Sequence, residues 1–368
     1  MIKSLSVTNY RLFKHFEIDS LSNVNLIVGT NNSGKSSLLE AINLLTSDDV
    51  RTSLLSLLRE RGEYALGTVT PPYERSVRSG FQVAHIFYGH SQEFGQVIHI
   101  ASRNERHAKL DIAILAEKEG EIPEQDSLSS NRNHVDVGEK YIVFDYSESD
   151  GESNRVAMRL EGDVLISDQF YTILTVGAAS PGGSRLLTTN YLGYDELAVL
   201  WDQITLTPKE DRVIDALRIL EPDVERISFT SRQTSNSGIL LRLANQEEPV
   251  PLGSMGDGMR RILAIAASLV GVGQGTLLVD EIDTGLYYAV LKDMWKLIFE
   301  TAYKQNTQVF ATTHSWDCVK AFQQALAEFR DASFGRLIRL DRDGDQINAV
   351  SYLADELSVA IEQDIEVR

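Results

Sequence analysis

Residues 23–45, NVNLIVGTNNSGKSSLLEAINLL, carry the clearest structural pattern in the sequence. Its apolar run NLIV predicts a buried strand, and the apolar residues at helical spacing after it predict a helix. Between them, GTNNSGKSS fits the pattern Gly-x-x-x-x-Gly-Lys-[Ser/Thr] with Gly29, Gly34, Lys35 and Ser36. A strand, a glycine-rich turn and a helix in this order predict a phosphate-binding loop.

Each part of this loop has a physical task. The glycines let backbone N–H groups curl around phosphate groups, and the helix N-terminus adds partial positive charge. Lys35 is expected to reach the β- and γ-phosphates, and the Ser36 hydroxyl to hold magnesium. The predicted nucleotide-binding residues are Gly29, Thr30, Asn31, Asn32, Ser33, Gly34, Lys35, Ser36 and Ser37.

Composition limits the class of protein. The chain has 368 residues, of which 43% are hydrophobic, so it can bury a substantial core. It has no apolar run long enough to span a membrane, and MIKSLSVTNY lacks the layout of a signal peptide, which predicts a cytoplasmic protein. The single cysteine, Cys318, agrees. The formal charge of -18 disfavours unaided binding to a nucleic-acid backbone.

The chain divides into three predicted regions. Residues 1–185 form an N-terminal lobe that holds the phosphate-binding loop and an antiparallel β-rich part, residues 186–226 a mainly helical insertion, and residues 227–368 a C-terminal lobe. In the first lobe, IKSLSVTNYRLFKHFEI predicts a hairpin that turns at NYR. The helix after the phosphate-binding loop is predicted from Gly34 to about Leu45.

Several β-rich pieces between residues 81 and 176, beginning with FQVAHIFYG, predict an antiparallel sheet, and segment 117–140 predicts an exposed loop. The segment GAASPGGSR marks a break, and TPKE predicts the start of a helix that runs from 207 to about 220. From Ile227 onward, two strands and then helices alternating with strands, including a helix from about Leu286, predict an α/β fold with a mostly parallel, sandwiched sheet.

The segment TLLVDE is a buried strand that ends in two carboxylates. Such a run is costly unless the carboxylates face a metal ion or a catalytic water. Asp280 is expected to hold magnesium, and Glu281 to act as the general base on the attacking water. The alternative is an ordinary strand end with two solvated acids.

The segment VFATTHS is another buried strand, and it ends in His314. An imidazole at this position could hydrogen-bond the γ-phosphate, which makes His314 a candidate catalytic residue with Lys35 and Glu281. An ordinary strand-end histidine remains the alternative.

Taken in order, the hairpin, GTNNSGKSS, GSMGDGMRR, LLVDEIDTGL and ATTHS resemble the ABC-type ATPases of the RecF, SMC and OLD (overcoming lysogenisation defect) group. VDEIDTGLYY and QVFATTHSWDCVKAF are most similar to the compact OLD-like AAA ATPases without a fused nuclease domain. The resemblance implies a P-loop NTPase fold of ABC ATPase type, in which a mostly parallel sheet flanked by helices carries an antiparallel β lobe and a small helical insertion. It also implies ATP and Mg²⁺ as cofactors.

The resemblance assigns SMGDG to the signature motif, which reaches ATP held by a second subunit, so a homodimer is expected. Ser254 can offer a hydroxyl, and Gly256 permits close backbone approach to the γ-phosphate. The motif departs from the usual L-S-G-G-Q form at Met255 and Asp257, and the structural alternative is a glycine C-cap followed by a core helix.

Further positions follow from the same resemblance. Asp283 falls in the D-loop, near both nucleotides of a dimer. Arg11 is similar to an arginine that some relatives use near the phosphates, or it is a surface residue. The glutamine loop stays unassigned, because the four candidate glutamines have no distinguishing context; they are Gln82, Gln92, Gln96 and Gln169.

The function that the resemblance implies is an ATP-hydrolysing switch that dimerises around ATP and controls a separately encoded effector, such as a Toprim-type nuclease, in anti-phage defence. Nucleic acid would be contacted through that partner, and no membrane is involved. A RecF-like DNA repair ATPase, a transporter subunit and an ATP-binding scaffold with little turnover are the alternatives. Asp341 and Asp343 predict a hairpin turn and no nuclease motif.

Overall fold

The computed structural model describes residues 1–68, 77–91, 95–103, 107–116, 140–149, 151, 153–161, 164–167, 183–190, 192–230 and 238–367. Within these ranges the strands form three sheets, of nine, six and three strands. The predicted loop at 117–140 lies outside the described residues except for Lys140, and so does most of GAASPGGSR.

The nine-stranded sheet is antiparallel throughout, and its order is β2-β1-β6-β7-β8-β9-β10-β5-β4. Its strands are β1 (Ser4–Tyr10), β2 (Phe13–Ile18), β4 (Tyr64–Thr68), β5 (Val77–Gln82), β6 (Val97–Arg103), β7 (Lys109–Ala116), β8 (Lys140–Ser147), β9 (Ser153–Glu161) and β10 (Val164–Ser167). The predicted N-terminal hairpin is confirmed as β1 and β2. The β-rich piece FQVAHIFYG is a strand only at Phe81 and Gln82, where β5 ends, and two 3₁₀ turns follow.

The six-stranded sheet has the order β11-β15-β16-β3-β17-β18, in which the first five strands are parallel and β18 pairs antiparallel with β17. Its strands are β3 (Val24–Gly29), β11 (Ser184–Leu187), β15 (Thr276–Val279), β16 (Gln308–Thr312), β17 (Gly335–Asp343) and β18 (Gln346–Tyr352). The mostly parallel description is right for this sheet. It covers only part of the fold, since the antiparallel sheet has more strands among the described residues.

The third sheet is small and antiparallel, and it consists of β12 (Val224–Thr230), β13 (Gly238–Leu243) and β14 (Val250–Pro251). These strands lead into the segment that begins at Leu252. The predicted hairpin at Asp341 and Asp343 is confirmed, because β17 and β18 meet there and Gly344 has a φ of +58°.

The helices are α1 (Lys35–Thr46), α2 (Val50–Glu60), α3 (Tyr194–Ile204), α4 (Pro208–Leu217), α5 (Asp257–Val272), α6 (Leu291–Gln305), α7 (Trp316–Glu328) and α8 (Ala354–Glu362). The predicted capping at Thr207 is confirmed, since its hydroxyl accepts from the Lys209 N–H at 3.2 Å. The helix predicted from about Leu286 begins five residues later, at Leu291, because a 3₁₀ turn at Tyr288–Val290 precedes it.

The parallel sheet separates two apolar cores. On β15, Leu277 and Val279 face a core shared with α3 to α8, whereas Leu278 faces a core shared with α1, α2 and the antiparallel sheet. This alternation is expected of a strand that is covered on both faces. The helices α1 and α5 therefore lie on opposite faces of the parallel sheet.

The predicted helical insertion packs into the core of the C-terminal lobe. Leu197 and Trp201 of α3, with Val213 and Leu217 of α4, belong to the same core as α5. Each such side chain contributes about 2 kcal/mol through its removal from water. The division into three regions stays a prediction, and the six-stranded sheet takes strands from both predicted lobes.

A buried ionic cluster fixes the N-terminal hairpin to α1. Arg11 is only 5% exposed, and its guanidinium lies 2.6 Å from a Glu40 oxygen and 2.8 Å from a Glu63 oxygen. The Nε atom of Arg61 lies 2.6 Å from the second Glu40 oxygen. The surface interpretation of Arg11 is therefore wrong, because its charge is neutralised inside the protein by two carboxylates.

Among the helices that the structure describes, none is both long and apolar enough to cross a membrane.

Candidate nucleotide-binding site

The phosphate-binding loop joins a fully buried strand to α1. All six residues of β3 are buried, and the first residue of α1 is Lys35. Gly34 has a φ of +95°, and a Cβ atom there would lie 2.9 Å from Cζ of Phe13. Gly34 is thus required both by the backbone conformation and by the close approach of the hairpin.

Lys35 lies at the centre of the loop. Its side chain is 7% exposed, and Nζ donates to the carbonyl oxygens of Gly29 and Thr30, each at 2.8 Å. Burial lowers the pKa of Lys35 to about 8, against the opposing influence of Asp280 and Glu281. Negative phosphate groups next to this ammonium would favour its charged form and raise its pKa again.

Ser36 and Asp280 meet across the gap between α1 and β15. The Ser36 hydroxyl donates to Oδ2 of Asp280 at 2.8 Å, and the Thr312 hydroxyl donates to Oδ1 at 2.5 Å. The structure thus brings together the two residues predicted to hold a metal ion. Thr312, at the end of β16, is a positioning residue that the sequence reasoning missed, and the only signal for it was its place in ATTHS.

Glu281 has an unusual backbone conformation. Its φ is +46°, in the left-handed region, which is rare for residues other than glycine and carries a cost. The Glu281 N–H donates to the Thr312 hydroxyl at 2.8 Å, and the Thr284 hydroxyl donates to its carboxylate at 3.3 Å. These bonds hold the half-buried carboxylate directly after Asp280.

Arg261 holds the backbone of this acidic strand end. It lies on α5, is 2% exposed, and donates to the carbonyl oxygens of Asp280 at 2.6 Å and Glu281 at 2.9 Å through Nη2. Its Nη1 atom donates to the Thr188 carbonyl at 2.9 Å. Arg261 was also missed, although a second arginine inside the apolar stripe of GMRRILAIA was a signal for a buried polar contact.

Arg261→Met is expected to lower the free energy of unfolding by about 2–4 kcal/mol, because buried carbonyl oxygens lose their donors. ATP hydrolysis should fall as well, since Glu281 loses its support. Urea unfolding and phosphate release measure the two effects. The matched control is Arg260→Met, at the adjacent exposed position, which should change stability by no more than about 0.5 kcal/mol. Equal effects of the two substitutions would contradict this role of Arg261.

The predicted signature segment forms an exposed turn. Ser254 lies in the 3₁₀ turn Leu252–Met255, and Gly256, with a φ of +87°, directly precedes α5. Ser254 and Gly256 are both exposed. Gly256 caps the C-terminal end of the 3₁₀ turn. The alternative interpretation of SMGDG, a glycine cap followed by a core helix, therefore also agrees with the structure.

Asp283 and His314 lie at the same edge of the sheet as Asp280. The Thr313 hydroxyl donates to Asp283 at 2.5 Å and accepts from the Ser315 N–H at 2.9 Å. His314, between these residues, is exposed. Asp280, Glu281, Asp283 and His314 thus all follow two neighbouring parallel strands, at the edge where ligands bind in open α/β sheets.

The structure singles out none of the four candidate glutamines as the glutamine loop. The strand β11 pairs with β15, and at its end the Asp280 N–H donates to the Leu187 carbonyl at 2.7 Å. The residues that follow β11 are Thr188, Thr189 and Asn190, and none of them is a glutamine. Of the candidates, Gln82 ends β5 and Gln96 precedes β6, both in the antiparallel sheet, while Gln92 and Gln169 lie outside the described residues.

The oxygen atoms of Ser36 and Asp280 are suitable ligands for Mg²⁺. A hydroxyl and a carboxylate are hard oxygen ligands, and Mg²⁺ in nucleotide sites takes one or two such protein ligands and completes its shell with phosphate oxygens and water. Ser36 and Asp280 provide this set, and their oxygens already lie within 2.8 Å of each other.

These features define the class: a P-loop protein whose loop lysine, loop serine and acidic strand meet at one sheet edge. A family model described as "AAA domain, putative AbiEii toxin, Type IV TA system" matches residues 24–317 of the 368. The chain belongs to this family. It is an ATP-binding ATPase with an AAA domain.

Three similar proteins extend this comparison. A protein of Helicobacter pylori (strain ATCC 700392 / 26695) named "ATP/GTP phosphatase" is 22% identical over 376 residues, which cover 99% of each chain. An uncharacterised protein of Methanocaldococcus jannaschii is 24% identical over 234 residues, 62% of this chain and 90% of that protein. The Smc head domain with an extended coiled coil, bound to the C-terminal domain of ScpA and derived from Pyrococcus furiosus, has a TM-score of 0.50 at 13% identity and covers 99% of each chain.

Proposed function

We propose that this ATPase is a molecular switch in which two copies close around two ATP molecules and separate after hydrolysis. The observation that carries the proposal is the position of the exposed Ser254 turn. This turn lies before α5, on the opposite face of the parallel sheet from α1 and its phosphate-binding loop. The turn is exposed, so Ser254 and Gly256 are available to contact a triphosphate that a second copy holds.

Within one copy, the proposed roles follow from the geometry. Lys35 exchanges its bonds to the loop carbonyls for the β- and γ-phosphates, and the residues from Gly29 to Ser37 cradle the triphosphate with backbone N–H groups. Glu281 accepts the proton of the attacking water, and His314 donates a hydrogen bond to the γ-phosphate. From the other copy, Ser254 and Gly256 close the site, and Asp283 lies near the contact.

Ser36 and Asp280 would hold Mg²⁺, which neutralises phosphate charge when it is bound. Before that, the Ser36 hydroxyl must turn away from the Asp280 oxygen to which it now donates. The Thr312 hydroxyl keeps the other Asp280 oxygen in place. The Asp280 carboxylate therefore needs no large movement to receive the ion.

Phosphate release from ATP is expected to stop in excess EDTA and to return on addition of MgCl₂. Ser36→Ala should raise the Mg²⁺ concentration for half-maximal rate at least about tenfold, because one protein ligand is lost. The control is Ser56→Ala on α2, which should behave as the unmodified protein. GTP is assayed in parallel, since the Helicobacter pylori relative carries both nucleotides in its name. A full rate in EDTA would refute the proposed metal site.

The output of the switch is proposed to be control of a separate effector protein, with anti-phage defence as the setting and a Toprim-type nuclease as one possible effector. The charge of -18 supports contact with nucleic acid through such a partner rather than directly. The test is whether the product of the adjacent gene copurifies and whether its activity depends on ATP. An effector activity that is the same with and without ATP would contradict this coupling.

A further inference from the structure

Two neighbouring tyrosines form an exposed aromatic pair that the proposed chemistry does not use. Tyr287 is 63% exposed and Tyr288 is 59% exposed, and their ring centroids lie 4.3 Å apart. They occupy the turn between the Asp283 segment and α6. Exposed tyrosines are enriched at protein contacts, where a rigid ring offers a large contact area at low entropic cost.

The pair is structurally continuous with the Ser254 turn. A Cβ atom on Gly258, in the first turn of α5, would lie 2.9 Å from the carbonyl oxygen of Gly285. The start of α5 is therefore in close backbone contact with the segment that leads to Tyr287. The exposed residues Ser254 and Gly256 and the tyrosine pair belong to one edge of the protein.

The charge of the chain indicates which kind of contact this edge needs. Two copies that each carry a formal charge of -18 repel one another, and the ATP molecules between them add further negative charge. Ionic attraction alone is therefore a poor source of affinity for a second copy. Burial of aromatic surface does not depend on charge, and it favours association at any ionic strength. The same charge disfavours a nucleic acid as the occupant of the pair.

We propose that Tyr287 and Tyr288 are the aromatic anchor of the contact between two copies of this chain and become buried when ATP joins them. This inference rests on the proposed function, since it assumes the ATP-bound pair of copies. The rings already pack against each other in one copy, so little side-chain freedom is lost on association. Aromatic residues of this kind carry a large share of the affinity in many interfaces.

The experiment uses Glu281→Gln protein, in which ATP persists, and measures dimerisation with ATP and MgCl₂ by sedimentation equilibrium. Adding Tyr287→Ala and Tyr288→Ala together should raise the dimer dissociation constant at least about tenfold. Tyr287→Phe with Tyr288→Phe should restore it. The matched control is Tyr303→Ala on α6, also exposed, at 47%, which should dimerise as the parent does. Binding of a fluorescent ATP analogue by the monomer should not change.

A second measurement keeps both tyrosines. The only cysteine, Cys318, is buried, so Ala289→Cys, at the exposed position next to Tyr288, introduces a single accessible thiol. In Glu281→Gln protein, ATP with MgCl₂ should slow maleimide modification of this thiol several-fold. A parent protein that stays monomeric with ATP would refute the proposed function itself. A parent that dimerises, while the double alanine variant dimerises equally well or the Ala289→Cys thiol stays equally reactive, would refute only the tyrosine anchor.

Discussion

Glu281→Gln is expected to slow ATP hydrolysis by about 10²–10⁴-fold, the usual contribution of a general base. Glutamine has nearly the same shape, and its amide oxygen can still accept the hydrogen bond that Thr284 now donates. It cannot accept the proton of an attacking water. ATP affinity should stay within a few-fold of the unmodified protein, because the phosphates are held by Lys35 and the loop, so the loss falls on the chemical step.

Single-turnover phosphate release and calorimetric ATP binding separate these two quantities. The matched control is Glu247→Gln, which changes an exposed glutamate before β14 and should leave both quantities unchanged. If Glu281→Gln and the unmodified protein released phosphate at equal rates, another group would have to be the base. If the substitution abolished ATP binding, the carboxylate would have a structural role instead.

Lys35→Ala and Ser254→Ala are each expected to abolish most hydrolysis, for different reasons. Lys35→Ala removes a charge-assisted contact worth about 3 kcal/mol, so ATP affinity should fall about 100-fold. Ser254→Ala should leave the affinity of the monomer for ATP unchanged, because the serine acts on the nucleotide of the other copy. Its hydrolysis rate should fall at least about tenfold, as when one donor to a developing charge is lost. Ser228→Ala, on the exposed side of β12, is the control.

The parts of the site that could be predicted are those encoded within a few consecutive residues. The strand, glycine turn and helix around Lys35 lie within residues 23–45, and the acids of TLLVDE follow directly on an apolar run. Their meeting also follows from general physics, because parallel strands bring their carboxyl ends to one edge of a sheet. The 2.8 Å contact between Ser36 and Asp280 agrees with that expectation. The functional roles of these residues remain predictions until they are tested.

The parts that could not be predicted depend on contacts between distant segments. Arg261 donates to Thr188, which is 73 residues away in the chain, and a pattern of apolar spacing contains no information about such a partner. Thr312 resembles any other strand residue until β16 is placed next to β15. The positive φ of Glu281 likewise depends on its surroundings, since the residue type gives no reason to expect it.

The antiparallel sheet illustrates the same limit at a larger scale. Alternation of polar and apolar residues predicts that β6 to β9 are strands, but it does not say which strands become neighbours. The pairing of β1 with β6 joins the N-terminal hairpin to segments almost a hundred residues away, and so makes one sheet of nine strands. Arg11 is buried in the same way by distant segments, because Glu40 of α1 and Glu63 lie against the turn of the hairpin.

If each nucleotide is shared between two chains, two inactive variants should restore activity when they are mixed. In a mixed dimer of Lys35→Ala and Ser254→Ala chains, one site carries both substitutions, and the other combines an intact Lys35 with an intact Ser254. If half of the dimers are mixed, up to about a quarter of the unmodified hydrolysis rate should return on mixing. A mixture whose rate never exceeds the sum of the two separate variants, although mixed dimers are present, would contradict the sharing of nucleotides between chains.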